Sequence, residues 1–242
     1  MSSIFEQWRG GLIVSCQAPA DSPLAKPEII AAFAETAEQN GAVGVRIDSP
    51  VNIAAVKAAV RLPVLGIYKI VTGTSDVYIT PTFESAGRIA AAGADVIALD
   101  ATSRARPGDE KLDRIVARIR REIRRPTAAD VATFAEGVRA AEETGFDAVI
   151  TTLSGYTDET KNIAGPDFDL IEKLASRVST PVIGEGRLRS PADLRRAFDA
   201  GAFAVVVGNA ITGTDQLVRN FVSALPAGKQ SPAIEDLRFD PN

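Results

Sequence analysis

The chain has no histidine among its 242 residues. A Ser-His-Asp triad and a histidine-ligated metal site are therefore excluded, because both need an imidazole. Any acid–base chemistry has to use lysine, aspartate, glutamate, tyrosine or cysteine side chains. No acidic cluster has the pattern of a dedicated metal cage, and no G-x-G-x-x-G motif opens a helix after a strand. These absences argue against a dedicated metal site and against a bound dinucleotide.

Cysteine is almost absent as well. Cys16 is the single one, so no intrachain disulfide can form and the cytoplasm is the expected compartment. No run approaches the roughly 20 apolar residues of a membrane-spanning helix, and the first residues lack the pattern of a signal peptide. The formal net charge of −4 argues against a nucleic-acid or membrane partner. Any phosphate site must then be a local arrangement of donors.

Short β-branched runs alternate with longer amphipathic segments, which is typical of parallel βα units. Strands are predicted near 11–15, 43–47, 64–68, 95–99, 127–130, 147–151, 181–184 and 203–207. Helices are predicted near 27–39, 51–60, 83–92, 109–121, 134–144, 167–178, 191–199 and 214–224. Eight of each is the number that a closed (β/α)₈ barrel requires.

A repeating helix-to-strand connection supports this count. Four glycines each end a predicted helix and precede a strand, a position that suits the left-handed backbone of a helix C-terminus. They are Gly41, Gly93, Gly145 and Gly201, separated by 52, 52 and 56 residues. Three prolines stand just before the intervening strands, where a missing N–H is tolerated. They are Pro63, Pro126 and Pro181.

We predict one α/β domain, a (β/α)₈ TIM barrel over residues 1–225. An open doubly wound sheet of similar units is the alternative, although such a sheet need not keep the pattern over all eight strands. Residues 226–242 are rich in proline, glycine and charge, and we expect a loosely packed tail.

The C-terminal ends of barrel strands carry the active site, and two ionisable residues there directly follow apolar runs: Lys69 and Glu185. Lys69 is either a lysine that reaches solvent or pairs with an acid, or a functional amine. Near Arg46 and Arg187 its pKa would fall from about 10.4 toward roughly 7–8, which suits a general base or a Schiff-base amine. Glu185 either forms a salt bridge with Arg187 or exchanges a proton with the substrate.

The ends of the seventh and eighth strands are the candidate phosphate site, because loops there form the recurrent phosphate site of this fold. Gly186 and Gly208 let backbone N–H groups approach an anion, and Arg187 adds a charge-assisted contact. Asn209 follows Gly208 in the same loop. Ordinary turn glycines are the simpler interpretation.

Other polar strand ends are open to two interpretations. Asp48 and Asp130 either position a substrate hydroxyl or hold Arg46 and Lys69 in place. Asp100 is interpreted as a cap of the turn that follows it. The hydroxyl-rich loop 151–157, with Thr152 and Ser154, suits a sugar, although such loops are often only solvated.

Seven segments at these strand ends together resemble one known family. They are Leu12–Ala18, Gly44–Asp48, Gly66–Lys69, Tyr78–Thr82, Ile97–Thr102, Thr151–Thr157 and Glu185–Arg187. In this order they resemble the N-acetylmannosamine-6-phosphate 2-epimerase family, and the match runs from about residue 11 to 225. Asn209 departs from it, since the family more often has serine there, and the segment beyond Leu225 is unfamiliar.

The resemblance implies that the chain interconverts N-acetylmannosamine 6-phosphate and N-acetylglucosamine 6-phosphate in bacterial sialic-acid use, without a cofactor. It implies Lys69 and Glu185 as the catalytic pair. At the substrate it places Gln17, Arg46, Asp130 and Arg187. The sequence alone does not decide whether Glu185 returns a proton to C2 or moves the ring hydroxyl proton.

Two rival functions stay open at this point. A Schiff-base aldolase acting on a sugar phosphate would also use a lysine at a strand end. A sugar-phosphate-binding barrel without catalysis would be expected to lack Lys69 or Glu185, and both are present. The expected partner is a small sugar phosphate, and the sequence is compatible with a homodimer without establishing one.

Overall fold

The structure is a computed structural model that describes residues 3–73 and 75–226. Eight parallel strands form a closed barrel in which each strand pairs with the next and the last pairs with the first. They are β1 Leu12–Cys16, β2 Gly44–Asp48, β3 Val64–Ile67, β4 Val96–Asp100, β5 Thr127–Asp130, β6 Ala148–Ile150, β7 Val182–Gly184 and β8 Ala204–Val207. Pairing of Leu12 with Val205 and of Val14 with Val207 closes the barrel, so the TIM-barrel prediction is confirmed and the open sheet is excluded.

Ten α-helices occur in the described residues. They are α1 Ser3–Trp8, α2 Pro27–Gln39, α3 Pro50–Ala59, α4 Phe83–Ala91, α5 Leu112–Arg118, α6 Phe134–Arg139, α7 Phe168–Arg177, α8 Pro191–Asp199, α9 Asn209–Thr212 and α10 Thr214–Ser223. Within the described ranges, no helix is both long and apolar enough to cross a bilayer. Apart from Pro226, the predicted tail 226–242 lies outside the described residues.

Local sequence signals set the helix boundaries. Pro27, Pro50 and Pro191 occupy the first turns of α2, α3 and α8, where the fixed φ of proline suits a helix and no N–H is needed. Thr133 and Glu136 form a reciprocal capping box at the start of α6. The four repeat glycines all have φ between 79° and 109°, which confirms the left-handed helix ends predicted for them.

Helix α5 begins three residues later than predicted. Gly108 and Asp109 have φ of 65° and 55°, and this left-handed backbone separates a short 3₁₀ turn from the helix that starts at Leu112. The short helices α1 and α9 are not predicted from the sequence, because four to six residues are too few to display a helical period.

Helices α5 and α6 continue into single wide π-turns, Ile119–Ile123 and Ala140–Thr144. Arg124 and Gly145 follow these turns in the left-handed conformation. Their N–H groups therefore reach back to the carbonyls five residues earlier, at the first residue of each turn. The sequence predicts both segments only as continuous helix, because a helical period does not distinguish the last wide turn.

The barrel interior is an apolar cluster closed at its N-terminal end by α1. Phe5 and Trp8 are fully buried and meet edge to face with ring centroids 5.4 Å apart. Both belong to the cluster of inward-facing strand residues, which includes Ile13 and Leu65. Gly44 begins β2 directly beside the indole, where a Cβ would lie 2.5 Å from Trp8 Nε1. The residue at the start of β2 must therefore be glycine, and the open end of the barrel is the C-terminal one.

We expect Trp8→Ala to lower the free energy of unfolding by about 3–5 kcal/mol, because it leaves a cavity under the barrel. Urea unfolding followed by circular dichroism would measure the change. Val71→Ala is the control, since Val71 is 86% exposed, and should change stability by no more than about 0.5 kcal/mol. A loss below about 1 kcal/mol for Trp8→Ala would show that α1 is not a structural plug.

Candidate active site at the C-terminal end of the barrel

Four of the predicted site residues form one connected network at the barrel mouth. Arg46 points inward from β2 and Asp130 from β5, with 1% and 0% of their side chains exposed. Glu185 directly follows β7 and Thr152 follows β6 by two residues. Although they are far apart in sequence, they lie at neighbouring levels because parallel strands bring their C-terminal ends to one rim.

Arg46 is the centre of this network. Its Nη1 donates to Asp130 Oδ1 at 2.9 Å and to Glu185 Oε2 at 3.0 Å, and its Nη2 donates to Asp130 Oδ2 at 2.8 Å. The Thr152 hydroxyl lies 2.6 Å from Asp130 Oδ1 and 2.9 Å from Glu185 Oε2. One cation and one hydroxyl therefore hold two carboxylates side by side.

Burial and charge act in opposite directions on these groups. Desolvation works to lower the pKa of Arg46, but the charges of Asp130 and Glu185 outweigh it, so the pKa lies above its ordinary value and Arg46 stays charged. For Glu185 desolvation prevails, and its pKa is raised above the ordinary 4.5 even though Arg46 opposes the shift. The nearby Asp130 charge raises it further. Glu185 therefore loses its proton less readily than an exposed glutamate does, and it lies beside an Arg46–Asp130 ion pair.

Lys69 lies on the same rim, two residues beyond β3. Its backbone N–H donates to Asp48 Oδ1 at 2.8 Å. Its charge is among the influences that lower the pKa of Glu185, so the two side chains are within electrostatic reach. The sequence left two roles open for Asp48, which were to position a substrate hydroxyl or to hold Lys69 in place. The structure shows that its carboxylate holds the backbone that carries Lys69.

A short segment, residues 78–80, inserts between the ends of β3 and β4, and the sequence did not predict it. Ile79 bridges to Lys69 in antiparallel fashion, and its carbonyl accepts the Asp100 N–H at 3.0 Å. Thr80 is fully buried with φ of 44°, an uncommon conformation for a non-glycine residue. Its N–H donates to the Tyr68 carbonyl at 2.8 Å, and its hydroxyl accepts the Tyr68 N–H at 3.1 Å. We refer to residues 78–80 as the wedge.

Arg187 connects β7 to the loop that follows β6. Its Nη2 donates to the Ser154 carbonyl at 2.9 Å, its Nη1 donates to the Ile163 carbonyl, and its guanidinium lies over the Tyr156 ring. Gly155 has φ of 83°, and a Cβ there would collide with this guanidinium, so the close approach needs glycine. The contact of Arg187 with a phosphate stays a prediction.

Ser154 lies apart from the network. Its hydroxyl donates to Asp167 Oδ2 at 2.6 Å, and its side chain is buried at 2% exposure. Asp167 in turn caps the start of α7. The structure thus shows Ser154 supporting the loop, while its predicted contact with the substrate stays a prediction.

The remaining predicted residues lie where β7, β8 and β1 end. Gly186 has φ of 113°, and Gly208 precedes α9, whose first residue is Asn209. The Thr212 hydroxyl donates to the Ser15 carbonyl at 2.8 Å, which ties α9 to β1. Gln17 Nε2 donates to Ser15 Oγ at 2.7 Å, and its Oε1 is buried with no hydrogen-bond partner in residues 3–73 and 75–226. These positions enclose one side of the mouth.

A second arginine–carboxylate pair adjoins the first, and the sequence did not reveal it. Asp100 ends β4 beside Asp130 in the strand register and is completely buried. Arg104 Nη2 donates to Asp100 Oδ2 at 2.7 Å. Among the described residues, no group of three or more acidic or cysteine side chains is arranged to hold a metal ion.

Comparison with known proteins identifies close relatives. The family model described as "Putative N-acetylmannosamine-6-phosphate epimerase" matches residues 30–227. A Thermosynechococcus vestitus protein named "Putative N-acetylmannosamine-6-phosphate 2-epimerase" is 50% identical over 221 residues, which cover 91% of this chain and 96% of that protein. A protein of the same name from Caldanaerobacter subterraneus is 41% identical over 229 residues, covering 94% and 96%.

Solved structures agree with these matches. The N-acetylmannosamine-6-phosphate 2-epimerase from Clostridium perfringens superimposes with a TM-score of 0.87 at 40% identity, over 92% of this chain and 96% of that one. GGGPS from Thermoplasma volcanium is 14% identical with a TM-score of 0.57, so this likeness concerns the fold alone.

The raised pKa of Glu185 predicts how stability depends on pH. Folded Glu185 holds its proton more tightly than the unfolded chain does, so raising the pH above about 4.5 favours the unfolded wild type. Glu185→Gln cannot titrate there, and its stability relative to the wild type should therefore rise with pH. The slope is at most about 1.4 kcal/mol per pH unit. Urea unfolding of both proteins from pH 4.5 upward tests this, and a stability difference independent of pH would contradict it.

Proposed function

Because the chain belongs to the N-acetylmannosamine-6-phosphate epimerase family, we propose that it interconverts N-acetylmannosamine 6-phosphate and N-acetylglucosamine 6-phosphate. It is an isomerase that inverts the configuration at C2. The observation that carries this proposal is the buried Arg46–Asp130 pair beside a Glu185 whose pKa is raised, with Lys69 on the same rim. Amino-sugar and sialic-acid catabolism is the corresponding metabolic setting.

Inversion at C2 requires a proton to leave one face of the carbon and another to arrive at the opposite face. The step is easiest in the open-chain aldehyde, where the carbonyl at C1 makes the C2 hydrogen acidic. The site must therefore supply one base, one acid and a positive charge near the enolate oxygen. Lys69 and Glu185, which follow β3 and β7, can approach a bound carbon from different sides of the mouth.

We assign the two proton transfers to this pair. The neutral Lys69 amine removes the C2 proton, and the ammonium that forms stabilises the enolate oxygen. Protonated Glu185 then donates its proton to the other face and becomes a carboxylate. Arg46 Nη1, 3.0 Å from Glu185 Oε2, stabilises that carboxylate, and the Thr152 hydroxyl keeps it in position. Exchange of protons with solvent resets both groups after product leaves.

In our proposal, Arg46 and Asp130 lie deeper in the barrel than Lys69 and Glu185 and hold Glu185 in position. Both side chains are almost completely inaccessible, at 1% and 0% exposure, while 13% of Glu185 is exposed. Their inaccessibility supports a positioning role toward Glu185 in addition to the substrate contact that the resemblance implies. The 6-phosphate is assigned to Gly186, Arg187, Gly208 and Asn209, at the strand ends where this fold binds phosphate.

Deuterium exchange tests the proposed chemistry directly. We expect epimerisation in deuterium oxide to place deuterium at C2 of the product, because the hydrogens on Lys69 and Glu185 exchange with solvent. Proton NMR of product formed early in the reaction would measure it.

Lys69→Ala and Glu185→Ala should each lower turnover by at least about 10²-fold. Full retention of protium at C2, or near-normal turnover of either variant, would disprove the assignment.

The cytoplasm is the compartment we propose, since Cys16 is a free thiol and disulfide formation is not used. We also propose that the chain forms a homodimer through α10. Six of the nine large apolar side chains that are exposed in the described residues lie on or next to α9 and α10. They are Ile211, Leu217, Val218, Phe221, Val222 and Leu225.

Helix α10 is amphipathic, yet it buries none of its residues. Its apolar side chains recur every three to four residues and form one stripe, with Phe221 77% exposed. Helix α8, the helix before α9 and α10 in the chain, buries only Ala197, while Leu194 and Phe198 are half-buried. In a two-fold symmetric dimer, the stripe of each copy would be buried against the stripe of the other.

We expect the wild type to sediment as a dimer at micromolar concentration and Phe221→Glu to sediment as a monomer, because a charge in the stripe opposes its burial. Analytical ultracentrifugation would distinguish the two. Gln216→Glu, on the polar side of α10, adds the same charge and should leave the dimer intact. A monomeric wild type, or a dimeric Phe221→Glu, would exclude this interface.

A further inference from the structure

The loop after β4 carries an arginine whose environment is unusual for a purely structural ion pair. Arg104 Nη2 donates to Asp100 Oδ2 at 2.7 Å, and its Nε donates to the Thr102 hydroxyl at 3.0 Å. Asp100 Oδ1 accepts from both the N–H and the hydroxyl of Thr102, at 2.9 and 2.7 Å. Both oxygens of the buried carboxylate are thus satisfied, and the guanidinium is held in one orientation.

Arg104 keeps hydrogen-bonding capacity that Asp100 does not use. Its remaining terminal nitrogen, Nη1, makes no hydrogen bond to the residues that the structure describes, and 22% of its side chain is exposed. Asp100 faces the barrel interior, because its register partner Asp130 binds Arg46 there. Because Asp100 lies at the C-terminal end of β4, this anchors the guanidinium of Arg104 at the mouth of the barrel.

The neighbouring Arg106 fulfils the structural role in this loop. It is 7% exposed and donates to the carbonyls of Pro81 and Asp100. The loop is further fixed by the Ser103 N–H, which donates to Glu136 at 2.8 Å, and by Arg139, which donates to the Ala101 carbonyl at 3.2 Å. Arg104 is therefore not needed to hold the loop, and it is pre-organised before any ligand arrives.

The barrel geometry determines which end of the substrate Arg104 meets. In a closed barrel of eight strands β4 lies opposite β8, and β3 lies opposite β7. A sugar phosphate whose phosphate is bound at β7 and β8 extends its far end, with C2 and its substituent, toward β3 and β4. Lys69, just beyond β3, is placed to reach the proton on C2. Arg104, beyond β4, is placed to reach the group attached to C2.

We propose that Arg104 binds the acyl oxygen of the C2 acylamino group and so selects N-acylated sugar phosphates. The inference rests on the proposed epimerase function and names a specificity residue for it. An amide carbonyl is a good acceptor for a guanidinium N–H. The hydrogen bond also fixes rotation about the C2–N bond, so it helps to present the C2 proton to Lys69.

Binding of two ligands that differ at C2 tests the proposal. Calorimetry would give Kd for N-acetylglucosamine 6-phosphate and for glucose 6-phosphate, which has a hydroxyl in place of the acetamido group. We expect Arg104→Gln to weaken binding of N-acetylglucosamine 6-phosphate by at least about 10-fold, the scale of a hydrogen bond to a charged group. Its Kd for glucose 6-phosphate should change by less than about 2-fold, because the other contacts remain.

Control variants separate this role from general effects of charge or folding. Arg114→Gln removes the same charge from an exposed position on α5 and should alter neither Kd. Arg104→Lys keeps a cation beside Asp100 but lacks the planar fork, so it should fold as the wild type does and lose affinity only for the N-acetylated ligand.

The outcomes that oppose the inference are distinct from failure of the proposed function. Equal loss of affinity for both ligands in the two Arg104 variants would mean that Arg104 contacts the phosphate or acts only through the fold. Unchanged affinity for both would mean that it contacts neither. If the wild type itself fails to epimerise N-acetylmannosamine 6-phosphate, the proposed function is wrong, whatever the Arg104 variants do.

Discussion

The charge balance around Arg46 is the constraint on which the site depends. One guanidinium is buried between two carboxylates, so these three groups alone would carry one excess negative charge if all were ionised in a medium of low polarity. Desolvation raises the pKa of Glu185, and the nearby charges of Arg46 and Lys69 oppose that rise. The proton equilibrium of Glu185 is therefore set by its burial and by the cations around it, while the Thr152 hydroxyl contacts the same oxygen as Arg46.

Much of this fold could be predicted from the sequence, because the barrel repeats one unit. Glycine at helix ends and proline before strands act through local backbone angles, and the signals were correct at all four glycines and all three prolines. The details that differ also have local causes. The left-handed backbone of Gly108 and Asp109 delays α5, and the π-turn before Arg124 widens its end. Neither feature changes the spacing of the apolar residues, so neither could be predicted from that spacing.

The site was predictable to the extent that it is built from strand ends. Lys69, Glu185, Arg46 and Asp130 were found because parallel strands deliver successive C-termini to one rim. Arg104, which a loop brings to this rim, was not. Arg104 returns to β4 through a turn organised by Asp100, and no spacing rule relates the two. The loop contacts of Ser154 and Arg187 could not be predicted from the sequence either, since their partners lie about ten or more residues away along the chain.

The wedge has a consequence for how this enzyme can diverge. Residues 68–70 and 78–80 are joined by backbone hydrogen bonds and by the Thr80 hydroxyl, so the strand that carries Lys69 is fixed from within the barrel. Between these two anchors, Val71 is 86% exposed, whereas Val77 is fully buried. A change of side chain at Val71 would therefore leave the backbone that carries Lys69 in place. An exposed position of this kind can gain new surface contacts while the end of β3 is kept unchanged.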